Sequence, residues 1–349
     1  KTRKISEMSG ESSCFLKLAS APLGGGFSRA DHWVWCGSPI RGEDGRVHLF
    51  ASSWPKTVAF NPNWMTNSRV VRAVSERPEG PFCYVEDVLL PRGPEFWDGR
   101  ATHNATIHKH GGVYYLYYTG MTFPEPIPDA ENPLAIGSAL QLKARASQRI
   151  GVATAPSVKG PWTRRDAPLL EPRPDKWDAL MTTNPAVCIH PDGRTLLAYK
   201  SVDRTNRMHY GIAAAPSPIG PFERLSDEPI FRFEGGAHGE DAYLWHNGDG
   251  YELIMKDMTG AICGEKHAGV HATSRDGVEW TLSDPARAYS RTVRWSDGSQ
   301  TVQGNLERPQ LLFEGDRPTH ICFATTSDGK HFSESAHTYN LCIPLESDA

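Results

Sequence analysis

The sequence has no apolar run approaching the roughly 18 residues that span a bilayer, so no membrane segment is expected. It also lacks an excess of positive charge. The 37 Lys and Arg face 41 Asp and Glu, a formal net charge of −4, which removes the electrostatic footprint of a nucleic-acid or anionic-membrane partner. The seven cysteines include no C-x-x-C pair, which argues against a structural zinc site. Their odd number leaves at least one thiol free, and Cys188, Cys263 and Cys322, in or beside expected strands, read as small buried hydrophobes. Long amphipathic helices are missing; Leu140–Ser147 is the one short candidate. No Pro/Gly/Ser-rich linker divides the 349 residues, so one domain over 1–349 is expected rather than two β domains. Lys1 to Ser13 lacks the apolar core of a secretory signal. The expectation is a cytoplasmic protein, or an extracellular or periplasmic one if a signal was removed.

What is present is a repeat. Five times a polar residue or two precedes a short apolar strand: Gly37-Ser38-Pro39-Ile40, His103-Asn104-Ala105-Thr106-Ile107, Thr183-Asn184-Pro185-Ala186-Val187, Glu240-Asp241-Ala242-Tyr243-Leu244 and Glu307-Arg308-Pro309-Gln310-Leu311. A turn closed by an aromatic residue follows each opening. It reads Gly80-Pro81-Phe82, Gly160-Pro161-Trp162 and Gly220-Pro221-Phe222 in the first three units, and ends in Trp280 and Phe332 in the last two. Glycine supplies the unusual backbone angle and the ring caps a sheet end. Alternating runs such as Val113–Tyr118 and Ile150–Thr154 lie between. Four antiparallel strands in each of five units predict an all-β, five-bladed β-propeller. The blades are expected near 31–92, 99–172, 180–232, 238–292 and 304–345, and residues 13–18 supply a strand that closes the ring against the last blade.

The innermost strand of each propeller blade runs along the axis, so the five openings should converge on one pocket. That set holds Ser38, His103, Asn104, Asn184, Glu240, Asp241, Glu307 and Arg308. Strand alternation sends Glu240 and Asp241 to opposite sides, with Glu240 favoured for the pocket. Lys200 and Asp257 stand at what read as equivalent places in blades three and four, where a Lys–Asp bridge between blades is expected. Trp97 is a candidate stacking platform for a bound ring, and His238, two residues before Glu240, a neighbour on its face. No cofactor is required, although His103, His238 and carboxylates leave room for a metal ion in the central channel.

The segments Asn184-Pro185-Ala186-Val187, Asp192-Gly193, Leu196-Leu197-Ala198-Tyr199 and Gly111-Gly112-Val113-Tyr114-Tyr115-Leu116-Tyr117-Tyr118 resemble the five-bladed propeller glycoside hydrolases of the arabinanase, β-xylosidase and invertase type, families 43, 32, 62, 68 and 117. The sequence is most similar to family 43-like proteins that carry Trp-Cys-Gly-Ser-Pro-Ile, Thr-His-Asn-x-Thr-Ile and Leu-Glu-Arg-Pro-Gln segments. The resemblance spans about Trp33 to Leu345. It implies a general acid at the blade-four opening, which is Glu240. It also implies aspartates opening blades one and three; here Gly37-Ser38-Pro39 and Asn184 stand instead. The two-carboxylate arrangement must therefore be completed by another group, Glu307 or His103, with Asp241 beside Glu240.

The leading expectation is a glycosidase acting on a plant- or microbe-derived oligo- or polysaccharide. Two others stay open: a polysaccharide lyase with His103 as base and Asn104, Asn184 and Arg308 neutralising a uronate, and a non-catalytic carbohydrate-binding propeller.

Overall fold

The computed structural model describes residues 14–346. Four four-stranded antiparallel sheets and one three-stranded sheet form five blades. Their innermost strands are His32–Arg41, Ala101–His110, Thr183–Ile189, Gly239–His246 and Glu307–Glu314. Each blade is built by consecutive hairpins from the axis outward. A separate hairpin, Thr292–Arg294 with Gln300–Val302, lies between blades four and five. The short helix Ala139–Ala146 forms where Leu140–Ser147 was expected. No helix among the described residues is long and apolar enough to cross a membrane.

The strands are apolar on both faces because each sheet packs on two neighbours. Phe50 and Val70 of blade one meet Leu116 and Ala153 of blade two. Tyr117 and Val152 meet Leu197 and Ala213 of blade three. Tyr243 and Ile254 of blade four meet Leu311 and Phe323 of blade five. Leu312 of blade five meets Val34 and Leu49, which closes the circle.

The N-terminal segment closes the ring against the last blade as expected, although not as one continuous strand. Blade five has three strands, and the N-terminal segment lies along its outer one, Thr338–Pro344. It does so through isolated bridges, Leu18 to Leu345 and Phe27 to Asn340. Further back, Phe15 and Leu16 donate instead to Arg287 O and Ala288 O at the edge of blade four. Residues 15–27 thus staple two blades rather than extending one; Ser13 lies outside the described residues. Cys322, read as a small hydrophobe, is bonded to Cys342 directly across the last hairpin, with Cα atoms 4.0 Å apart.

One irregularity recurs in all five blades. Cys36, Asn104, Asn184, Asp241 and Arg308 have φ of 53°, 51°, 52°, 60° and 52°. Each sits where the pairing of the innermost strand with its neighbour slips. Left-handed backbone is costly for non-glycine residues, and bulges re-aim side chains. Five such bulges at one level turn five side chains toward the axis.

Candidate active site

The bulges correct the alignment of the repeats. The blade-one opening is Trp35-Cys36, not Gly37-Ser38. The five left-handed residues form an axial ring. Cys36 Sγ donates to Asn104 Oδ1 (2.7 Å), Asn104 Nδ2 to Asn184 Oδ1 (2.6 Å), and Asn184 Nδ2 to Asp241 Oδ1 (3.1 Å). Arg308 Nη1 completes the ring 3.8 Å from the same Asp241 oxygen. Ser38 lies two residues further along its strand, below the ring. Its hydroxyl donates to Gln310 Oε1 (3.1 Å) and accepts from Ile107 N (3.1 Å). Thr106 Oγ1 donates to the same Gln310 oxygen (3.0 Å). Ser38 belongs to this polar plug and does not line the pocket.

Above the ring stand the preceding residues, Trp35, His103, Thr183, Glu240 and Glu307, and their partners on the second strands: Ser52, Thr119, Lys200, Lys256 and Ala324. Lys256, not Asp257, is therefore the counterpart of Lys200. Asp257 faces away and caps its own loop, accepting from the backbone N–H groups of Thr259, Gly260, Ile262 and Cys263. The expected Lys200–Asp257 bridge is absent. Lys200 pairs with Glu240 Oε1 instead.

Lys256 is the centre of the charged cluster. Its Nζ lies 2.9 Å from Glu307 Oε1, 3.3 Å from Glu240 Oε2 and 3.4 Å from Asp241 Oδ2. The first two distances together cap the separation of those Glu307 and Glu240 oxygens at 6.2 Å. Glu240 and Asp241 both reach Lys256, so alternation does not send them apart; the left-handed turn at Asp241 overrides it. Asn305 Nδ2 donates to Glu307 Oε1 (2.6 Å).

Burial and charge divide the carboxyls. Burial favours the neutral form of Glu240, but Lys200 and Lys256 outweigh it and hold the group well below the usual carboxylate range. Glu307 is buried with one lysine, Lys256, and the Asn305 amide to oppose that burial, and Asp241 and Glu240 repel its charge. Its carboxyl is pushed above the usual range. Burial disfavours the Lys256 ammonium, yet Glu307, Asp241 and Glu240 keep it charged, well above the ordinary lysine value. Burial, then Arg308 and Lys200, push His103 well below the ordinary histidine value, so the imidazole is neutral. Its Nδ1 is 2.8 Å from Ser68 Oγ and its ring stacks on Trp64 at 4.8 Å.

The opposite wall is aromatic: Trp35, Trp54, Phe60, Trp64 and Phe332 line it. Phe60 lies edge-on to Trp35 at 5.0 Å, and Trp54 lies 5.8 Å from His103. The two walls enclose about 250 Å³. Sequence reasoning missed Lys256 and this wall.

At the level of sequence, no family model and no curated protein matches the chain. Solved structures do. BT0996, in complex with RGII, is 15% identical over 96% of this protein and 93% of its own length, with a TM-score of 0.69. Zg3597, a family 117 glycoside hydrolase of the marine bacterium Zobellia galactanivorans, is 17% identical with a TM-score of 0.64 over 96% and 93% of the two proteins. The catalytic domain of the Coprinopsis cinerea GH62 α-L-arabinofuranosidase is 12% identical with a TM-score of 0.60 over 95% and 98%. The protein has the fold of these structures, the family 117 and GH62 enzymes among them. Identities of this size carry the fold and nothing finer.

Besides Ser38 and Asp257, two further expected site residues lie outside the propeller pocket. Trp97 stacks on Tyr118 (5.7 Å) and donates to Arg165 O (3.3 Å). Beside it, Asp98 accepts from Tyr118 Oη (2.6 Å) and pairs with Arg92 (2.7 Å) and Arg164 (3.4 Å). Blade three repeats the unit: Trp177 stacks on Tyr199 (5.8 Å), and Asp178 takes Tyr199 Oη, Arg173 and Arg224. A Cβ on Gly151 would fall 2.3 Å from the Trp97 ring, so glycine makes room for it. Trp97 is half of a latch, not a sugar platform in this pocket. The signal was in the sequence: a Trp-Asp pair begins six residues ahead of His103 and again ahead of Thr183. His238 holds Gly236 O (3.0 Å) and lines a separate hollow with Trp177, Phe231 and Phe233. It does not share the pocket of Glu240. Among the described residues no group of three or more His, Cys, Asp or Glu side chains is arranged to hold a metal ion; the cations on the axis are Lys256 and Arg308.

Proposed function

We propose that the protein is a glycoside hydrolase that removes one terminal sugar at a time, with Glu307 as general acid and Glu240 as its carboxylate partner. The observation that carries this is the pair of carboxyls bracketing Lys256, Glu307 buried and Glu240 partly so, pushed in opposite directions by their surroundings. Two carboxyl groups with separated proton affinities are what glycosidic cleavage requires. Glu307 gives its proton to the departing glycosidic oxygen. Glu240 either takes a proton from the attacking water or attacks the anomeric carbon itself, and the anomer of the first-formed product distinguishes these routes. This reverses the role expected for Glu240, because two lysines against one leave Glu307 the easier group to protonate.

The cavity of about 250 Å³ is smaller than the roughly 300–1,000 Å³ of most ligand pockets. The plug of Ser38, Thr106 and Gln310 closes its floor, which suits a single ring at a chain end. The fold shared with family 117 and GH62 enzymes supports the same reading. An elimination driven by His103 is less well supported, since that imidazole is stacked on Trp64 and tied through Nδ1 to Ser68.

Glu307→Gln should lower kcat on an alkyl glycoside or oligosaccharide by roughly 10²–10⁴-fold. It should spare an aryl glycoside whose leaving group needs no proton, whereas Glu240→Gln should slow both. Initial rates on a panel of aryl and oligomeric pentosides and hexosides read the difference. Near-normal turnover by either variant on an oligosaccharide that the wild type cleaves would sink the assignment.

A further inference from the structure

Arg308 and Lys256 are the most completely buried charged side chains on the axis, each with 1% of its surface exposed. The two lysines of the pocket are engaged: Lys200 by Glu240, and Lys256 by Glu307, Glu240 and Asp241. Arg308 is not. Among the described residues no acceptor meets its Nε or Nη1. Its Nη2 makes one long contact, 3.5 Å to Asn104 O, and its nearest carboxylate oxygen, on Asp241, is 3.8 Å away. Asp241 is drawn off by Asn184 on one oxygen and Lys256 on the other. A buried guanidinium with open donors is expensive, and here it lines the cavity.

The ion pairs point the same way. Every carboxyl of the cluster has a lysine beside it, Glu240 both Lys200 and Lys256, Asp241 and Glu307 Lys256. The histidines on the lining, His103, His267 and His331, are all held below their ordinary value, first by burial. The guanidinium with open donors is the one cation of this lining with no carboxylate oxygen closer than 3.8 Å.

We propose that the sugar bound in this cavity carries a carboxylate, and that Arg308 holds it. Either edge of the guanidinium that joins Nη2 to an unpartnered nitrogen presents two N–H groups at the spacing of two carboxylate oxygens. The aromatic wall opposite takes the apolar face of the ring. This substrate class, a uronic acid at a chain end, rests on the reading of the pocket as a sugar site, but not on cleavage.

Equilibrium binding tests it without turnover. The wild-type protein is titrated calorimetrically with D-glucuronate, D-galacturonate and D-mannuronate, each against its methyl ester, which keeps the ring and removes the charge. Acetate serves as a plain anion. At least one acid should bind roughly ten- to hundredfold more tightly than its ester, as expected for a charge-assisted pair, and acetate should bind far more weakly than that acid. Arg308→Met should erase the preference and Arg308→Lys should restore part of it. The proposal is overturned if no acid outbinds its ester, or if acetate binds as well as the acids. The wild-type comparison stands even if the Met variant does not fold. A uronate preference without hydrolysis would sink the glycosidase reading and leave this one intact; hydrolysis of neutral glycosides alone would do the reverse.

Discussion

The pocket has two unlike walls. Blades three to five contribute Lys200, Glu240, Asp241, Lys256, Glu307 and Arg308, and the first blade with its loops contributes Trp35, Trp54, Phe60 and Trp64. The charged wall is built from neighbouring strand positions that meet across the bulges. The aromatic wall comes mainly from second strands and connections, in which ring packs on ring. One wall is tuned by electrostatics and sets chemistry. The other excludes water, so that the charges opposite it act at short range in a low dielectric.

The largest effect should come from removing the hub of the charged wall. Lys256→Met leaves Glu240, Asp241 and Glu307 facing one another with one ammonium fewer. Breaking a buried pair in this way costs about 3–5 kcal/mol, read as a lower midpoint in denaturant unfolding. If the loss is no greater than for a surface lysine such as Lys159, the cluster is not the electrostatic centre described. The second test is pH. The Glu307 carboxyl is raised above its unfolded value, so its protonated form is favoured in the folded state. That contribution is present below the ordinary glutamate value of 4.5 and is lost as pH rises through the elevated folded value. Activity requiring that proton should fall over the same rise, giving kcat/KM an alkaline limb. The limb should vanish in Glu307→Gln assayed on an activated aryl glycoside; its persistence there would assign it to another group.

The aromatic wall should respond differently. Trp64→Ala removes the ring stacked on His103 and opens the cavity. The expected result is KM raised by about tenfold, the equivalent of ~1.4 kcal/mol, with kcat changed much less. A fall in kcat as large as that of the Glu307 variant would mean that the two walls do not divide the work.

The charged wall was more legible in the sequence than the aromatic one, and the reason is geometric. Glu240, Asp241, Glu307 and Arg308 stand at the repeat openings, where period and polarity mark them. Lys256 was hidden by a single-residue shift. Met255-Lys256-Asp257 reads equally well with Asp257 inward until the cross-strand pairing of Glu240 with Lys256 is known. The bulges themselves have no signature, since Cys, Asn, Asp and Arg share only a backbone angle. Without them alternation misplaces Asp241, and the blade-one repeat slips by two residues. Trp54 and Phe60 lie away from any opening, so nothing local ties them to the axis. The blade count, by contrast, needed only the recurrence of polar opening, apolar strand and aromatic-closed turn.

The smallest effect should come from Ser38, and it separates the pocket from its floor. Its hydroxyl bridges Gln310 Oε1 and Ile107 N beneath the axial ring, out of reach of a sugar. Ser38→Ala leaves Gln310 Oε1 the hydroxyl of Thr106, but takes from Ile107 N its side-chain acceptor. The cost should be about 1–3 kcal/mol of stability, read as a modest drop in unfolding midpoint. Activity and pH profile should match the wild type, because Asn104, Asn184 and Asp241 keep their own hydrogen bonds above the plug. Loss of activity out of proportion to that drop would place Ser38 within the chemistry, and the boundary drawn between ring and plug would have to move down the channel.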